Sequence, residues 1–104
     1  MIITTSDLVA GRDIVEALGV VRGNVVRARF VGTDFLAGLR MLAGGEVNEY
    51  TKLMAEAREQ AVDRMIRDAQ LVNADAIVAM RLTTSMIMQG AAEILAYGTA
   101  VRLA

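Results

Sequence analysis

Met86-Ile87-Met88 is the one soft-ligand arrangement in the chain. On a strand, side chains two apart project from the same face. The two thioethers then point together, and with Met80 approaching from a partner strand they would suit Cu(I) or Ag(I). Flexible methionines fill a core or an interface equally well without a metal, and packing is the favoured role, so no metal ligand is assigned. Ser6 and Ser85 have no histidine to activate them, and a Ser/Lys pair would need the single lysine, Lys52, which falls on the polar side of a helix. Glu16 and Glu93 each interrupt an apolar strand; a solvent-facing or edge position explains them better than a tuned acid/base pair. Arg27 and Arg29 share a strand face and could meet an anion, with edge protection or ion pairing between subunits as the plainer reading. Gly44-Gly45 lacks the following Lys-Ser/Thr of a phosphate loop and reads as a helix stop. No catalytic residue and no cofactor-binding residue is assigned.

What is missing excludes more than what is present suggests. The 104 residues include no His, Cys, Pro or Trp, so there is no imidazole base, thiolate, disulfide or Cys/His zinc site. Eleven basic residues stand against twelve acidic ones, which gives no polybasic field for nucleic acid. The chain is 55% apolar, yet its longest charge-free run, Leu82 to Ala92, has 11 residues where a membrane span needs about 18 or more. The N-terminus lacks a basic stretch followed by a long apolar one, and the expected compartment is the cytoplasm. The length fits one domain, residues 1–104.

Several elements must position these residues. Ile2 to Thr5 reads as a short first strand. Arg12 to Phe30 is β-like again, punctuated by Gly11, Gly19, Gly23 and Gly32; Gly23-Asn24 is either a hairpin turn or part of one continuous, bent strand. Phe35, Leu36, Leu39, Leu42 and Ala43 predict a short helix opened by Thr33 or Asp34 and closed by Gly44-Gly45. A longer amphipathic helix is predicted over 49–72, with Leu53, Met54, Ala57, Ala61, Met65, Ala69 and Val72 on one side. The period then returns to two. Val78, Met80 and Leu82 are expected on one strand face and Ile77, Ala79, Arg81 and Thr83 on the other. After a break at Gln89-Gly90, Leu95, Tyr97, Thr99, Val101 and Leu103 form the richer face of a last strand. Ile94, Ala96, Gly98, Ala100 and Arg102 form its leaner face. The fold class is α+β, a curved antiparallel or mixed sheet with one short and one long helix.

Two helices cover roughly one face of such a sheet, while both faces of residues 14–21 and 77–83 carry aliphatic side chains. At ~25 cal/mol per Å² of apolar area, leaving such a face wet forgoes several kcal/mol and invites aggregation. A second subunit is the simplest cover, so a homo-oligomer with an apolar sheet or strand-edge interface is expected.

An ordered set of short motifs runs along the whole chain: Thr4-Thr5, Ile14-Val15-Glu16, Gly19-Val20-Val21 and Gly23, Asp34-Phe35, Ala37-Gly38 and Arg40, Gly44-Gly45 and Tyr50, Ala57-Arg58-Glu59, Ala74-Asp75-Ala76-Ile77-Val78 and Gly98-Thr99-Ala100-Val101. Taken together it resembles the YbjQ-like family of small uncharacterised proteins, which carries a heavy-metal-binding label. The resemblance implies a dodecin-like α+β subunit in a homopentameric ring, partnered with itself and not with nucleic acid or membrane. The strand after the long helix is acidic in typical members, whereas this chain has Met80, Leu82 and Thr84 at those positions with Arg81 between them, and Glu46 follows the double glycine where a basic or small residue is common. The reading that results is a non-enzymatic ring that binds a small ligand or partner between subunits. The alternative is a metal-homeostasis module using Met thioethers or ring carboxylates.

Overall fold

The computed structural model describes residues 1–28 and 47–104. In it one long helix, α1 (Val47–Leu71), lies on a four-stranded sheet formed by β1 (Ile2–Ile3), β2 (Ile14–Ala28), β3 (Ala76–Met88) and β4 (Ala91–Leu103). The strands are ordered β1-β3-β4-β2 across an open, mixed sheet. The short β1 runs parallel to β3, and β4 pairs antiparallel with β3 on one side and β2 on the other. This is the expected α+β class. The short helix predicted near Phe35–Ala43 and the Gly44-Gly45 stop lie outside the described residues, as does Arg29.

The apolar period of α1 sets how it docks. Ala57, Ala61, Met65 and Ala69 are one turn apart and fully buried, with Met54, Val62 and Ile66 beside them. After Leu71 the chain leaves the helix through Asn73, whose φ of 58° is a left-handed turn of the kind that closes helix ends. The bonds Asn73 N–H to Gln70 O and Ala74 N–H to Ala69 O, each 3.1 Å, complete it.

Of the two readings of Gly23-Asn24, the continuous strand is the one found: β2 runs through both residues from Ile14 to Ala28. Its pairing with β4 slips between Ile14 and Glu16 and again between Ala17 and Gly19, and Gly19 absorbs the second irregularity with a φ of 115°. Gly23 has a different task. A Cβ placed there would collide with the Ala61 carbonyl, the Met65 amide nitrogen and the Arg64 Cβ, so this glycine is where the backbone of α1 crosses β2.

The expected alternation along β3 is corrected by a bulge between Val78 and Arg81, at which Ala79 takes a φ of 54°. Directly opposed residues share a face of the sheet. Ile77 opposes Ala100 and Val78 opposes Thr99, but beyond the bulge Arg81 opposes Tyr97 and Leu82 opposes Ala96. Val78 and Leu82 therefore lie on opposite faces, as do Ile77 and Arg81. The N-terminal segment docks at this bulge: the Ala79 N–H donates to Ser6 O at 2.9 Å and the Met80 N–H to Thr4 O at 3.0 Å. β3 and β4 are joined by a two-residue turn, Gln89-Gly90, with Gly90 at a φ of 79°, as tight hairpins require.

The helix covers the leaner face of β4. Ile94, Ala96 and Ala100 are buried against α1 together with Val21 and Val25 of β2 and Ile77 of β3. At one end of the opposite face a smaller cluster of Ala76, Val78, Val101 and Leu103 is closed by Val9 and Ile14. Among the described residues the rest of that face is open.

Candidate functional site

The sequence-derived candidates do not converge. Met80 lies on β3 itself, not on a partner strand, and packs at the margin of the main core. It stands six positions from Met86, about 20 Å along a strand. Met86 opposes Ala92 and Met88 opposes Ala91, with the register slipping between them. Neighbouring residues of β4 point to opposite faces, so the slip turns the two thioethers away from each other. The alternative Met86/Met88 clamp is thus undone by one extra residue in the strand.

The carboxylates are likewise apart. Glu16 pairs with Arg102, its Oε1 3.5 Å from the Arg102 Nε. Glu93 accepts a hydrogen bond from Asn24 Nδ2 at 3.2 Å. Glu16 opposes Arg102 and Glu93 opposes Val26, nine positions apart on β4 or about 30 Å, too far to act on one bond. Ser6 is used locally, its hydroxyl donating to Leu8 O at 2.7 Å. Ser85 opposes Glu93 on β3, and Lys52 is exposed on α1. Arg27 donates to Gln60 Oε1 of α1, which takes it out of any anion site on the open face.

The polar side chains of α1 serve the sheet edge instead. β2 is an edge strand, whose outward backbone groups need partners. The Arg22 N–H donates to Asp68 Oδ2 at 3.0 Å, and Arg64 Nη1 donates to Asn24 O at 2.6 Å. The helix thus shields part of this edge as well as one face.

What the sequence reading missed is the composition of the open face. Across three adjacent strands, Arg22 of β2 opposes Tyr97 of β4, which opposes Arg81 of β3. The next row is Asn24, Leu95 and Thr83, and the one after it Val26, Glu93 and Ser85. Tyr97 is 38% exposed and is the one aromatic among the described side chains. Arg81 Nη1 donates to Thr5 O at 2.9 Å and to Met80 O at 2.8 Å, which holds its guanidinium against the N-terminal segment, on the side of β3 away from Tyr97. The period-two signal had placed Tyr97 on one face with Leu95 and Thr99, but the arginines join it only through two strand registers.

A second bare region lies on the helix side of the sheet. α1 packs mainly on β2 and β4, so that among the described residues the far half of β3 is uncovered. Leu82, Met86, Ile87 and Met88 are exposed there and at the hairpin tip, Met86 by 77%.

The family model described as "Putative heavy-metal-binding" matches residues 1–104. A UPF0145 protein from Photobacterium profundum is 59% identical over 101 residues, covering 97% of both chains. One from Archaeoglobus fulgidus is 56% identical over 103 residues, covering 99% of this chain and 95% of that one, and one from Methanosarcina acetivorans is 52% identical, covering 99% and 97%. A crystal structure of a DUF74-family protein of unknown function from Pediococcus pentosaceus superposes with a TM-score of 0.61 at 21% identity, over 100% of this chain and 98% of that one; the likeness is one of fold. None of these names carries an enzymatic activity. Among the described residues none fit the heavy metal of the family description. The chain has no His or Cys, no three carboxylates gather into a metal-holding group among the described residues, and the thioethers diverge. With a family model matched from end to end and relatives more than half identical along nearly their whole length, the chain belongs to the YbjQ-like, UPF0145 family.

Proposed function

We propose that this protein is a non-enzymatic homo-oligomer, a pentameric ring as the family resemblance implies, that binds a small ligand or a partner beside its subunit contacts in the cytoplasm. The observation that carries this reading is the half of β3 that no other described residue covers. A 13-residue strand has its proximal residues Ala76, Ile77 and Val78 buried, while Leu82, Met86, Ile87 and Met88 stand in solvent. Apolar residues at this density on an open strand are a hazard for an isolated chain and an asset for a subunit contact. The outer edges of the sheet lie on opposite sides, one on β2 and one on the far half of β3. A contact between unlike edges of successive copies is heterologous, and heterologous contacts whose rotation closes form rings. Among the described residues no helix is long and apolar enough to cross a membrane.

Size-exclusion chromatography with light scattering tests the assembly. The expected mass is about five times the 11.2 kDa chain. A monodisperse species of 11.2 kDa at micromolar concentration would contradict it.

A further inference from the structure

We infer that the N-terminal strap Thr4-Thr5-Ser6 is a register lock for β3: while it is docked the segment Arg81–Met86 keeps its present alignment on β4, and its release lets that segment slip by one residue and exchange its two faces. The lock lies within one chain and stands without the preceding reading; only its consequence for the subunit contact rests on that reading.

Between the Val78–Thr99 and Met88–Ala91 pairs, nine residues of β3 face seven of β4. The two surplus residues sit at opposite ends of this stretch, one at the Ala79 bulge and one beside Met88. Moving the first surplus to the site of the second leaves both flanking pairs in place, so the intervening segment slips while the rest of the sheet stays still. Burial does not hold that segment. Arg81 to Met88 are all exposed, and register is weakly specified where neither face of a strand is buried. The bulge also works against itself, because Ala79 holds a φ of 54°, a conformation costly for a residue with a Cβ. Such strain persists only where the surroundings impose it.

The surroundings that impose it are the strap. The carbonyls of Thr4, Thr5 and Ser6 accept, in that order, the Met80 N–H at 3.0 Å, Arg81 Nη1 at 2.9 Å and the Ala79 N–H at 2.9 Å. The same guanidinium is tied to the Met80 carbonyl at 2.8 Å. Upstream the strap is tethered by a β1 of two residues, so its opening costs far less than unfolding the sheet. On release, Leu82 and Thr84 pass from the side of Ala96 and Ile94 to the side of Leu95 and Glu93, and Arg81, Thr83 and Ser85 move the other way. Leu82 belongs to the apolar surface assigned above to the neighbouring subunit. A docked strap therefore keeps that surface in place.

The chain has no cysteine, so engineered cysteine pairs on β3 and β4 read the register directly. Ser85 opposes Glu93, and Ser85→Cys/Glu93→Cys is expected to cross-link within one chain on mild oxidation at high dilution. Thr84→Cys/Glu93→Cys is not, since neighbours on a strand point to opposite faces. The strap is weakened by Arg81→Gln combined with Thr4→Pro, which removes the N–H that donates to Ile77 O. This background should shift the ratio of the two products toward the Thr84→Cys pair by about fivefold or more, the size of a left-handed alanine's strain. Adding Ala79→Gly, which relieves that strain in the docked register, should restore the original ratio. An unchanged ratio in the weakened chain, or loss of both products together, would overturn the lock. Light scattering on the same chains separates the two claims: a ring whose cross-links ignore the strap overturns the lock alone, and a chain that slips on strap release but is a monomer with the strap intact overturns the ring alone.

Discussion

The two faces of β4 carry unequal side chains, and the helix lies on the poorer one. Ala96, Gly98 and Ala100 face α1, while Leu95, Tyr97 and Thr99 face away. Hydrophobic bulk did not decide the matter; the distance of approach did. Small residues on the sheet, with Gly23 beside them, meet Ala57, Ala61 and Ala69 on the helix, and two backbones come close enough for many weak dispersion contacts to add up. The larger side chains of the open face and of the far half of β3 are left for other molecules. One face is closed by its own chain; the remainder is not closed by any described residue, and we propose that another copy closes it.

The sharpest way to break this contrast is at the crossing point. Gly23→Ala would force a Cβ against helix backbone and is expected to cost about 3 kcal/mol, read as a lower urea midpoint. A loss below about 0.5 kcal/mol would mean that the close approach is not what seats the helix. The bulge on β3 should respond in the opposite sense. Ala79 holds a φ of 54°, a conformation that costs an L-residue roughly 1 kcal/mol or more, so Ala79→Gly is expected to raise stability by about 1 kcal/mol less the entropy glycine adds to the unfolded chain. An unchanged or lowered midpoint would show that the entropy wins. The smallest effect on the isolated chain belongs to the bare strand. Met86→Ser should change its unfolding free energy by less than about 0.5 kcal/mol, yet lower the assembled mass at a given concentration. A large loss of chain stability with no change in assembly would erase the distinction between the two regions.

How much of this was legible before the structure depends on the range of the cause. The amphipathic helix was visible because its period is a local property, and the observed span Val47–Leu71 differs by two residues at most from the predicted one. The hairpin around Gln89-Gly90 was visible for the same reason. Gly23 was ambiguous because its purpose lies 38 residues away at Ala61, and no local signal separates a glycine in a turn from one beneath a helix. The bulge at Ala79 was invisible, since alanine has no preference for the left-handed region. That one unseen residue reversed the faces of everything after it on β3. The second slip, between Met86 and Met88, split the thioethers for a similar reason. Arg22, Tyr97 and Arg81 come from three separate parts of the chain, and only two strand registers bring them into a row.

The central claim is that the bare half of the sheet is covered by another copy of the chain. Amide hydrogen exchange, followed across a dilution series that spans the assembly, addresses it directly. The account expects residues 82–88 of β3 to exchange slowly in the assembled protein and fast after dilution to the single chain, while Ala96 and Ala100 beneath α1 remain protected in both. Exchange at 82–88 that is equally fast in both states would contradict it.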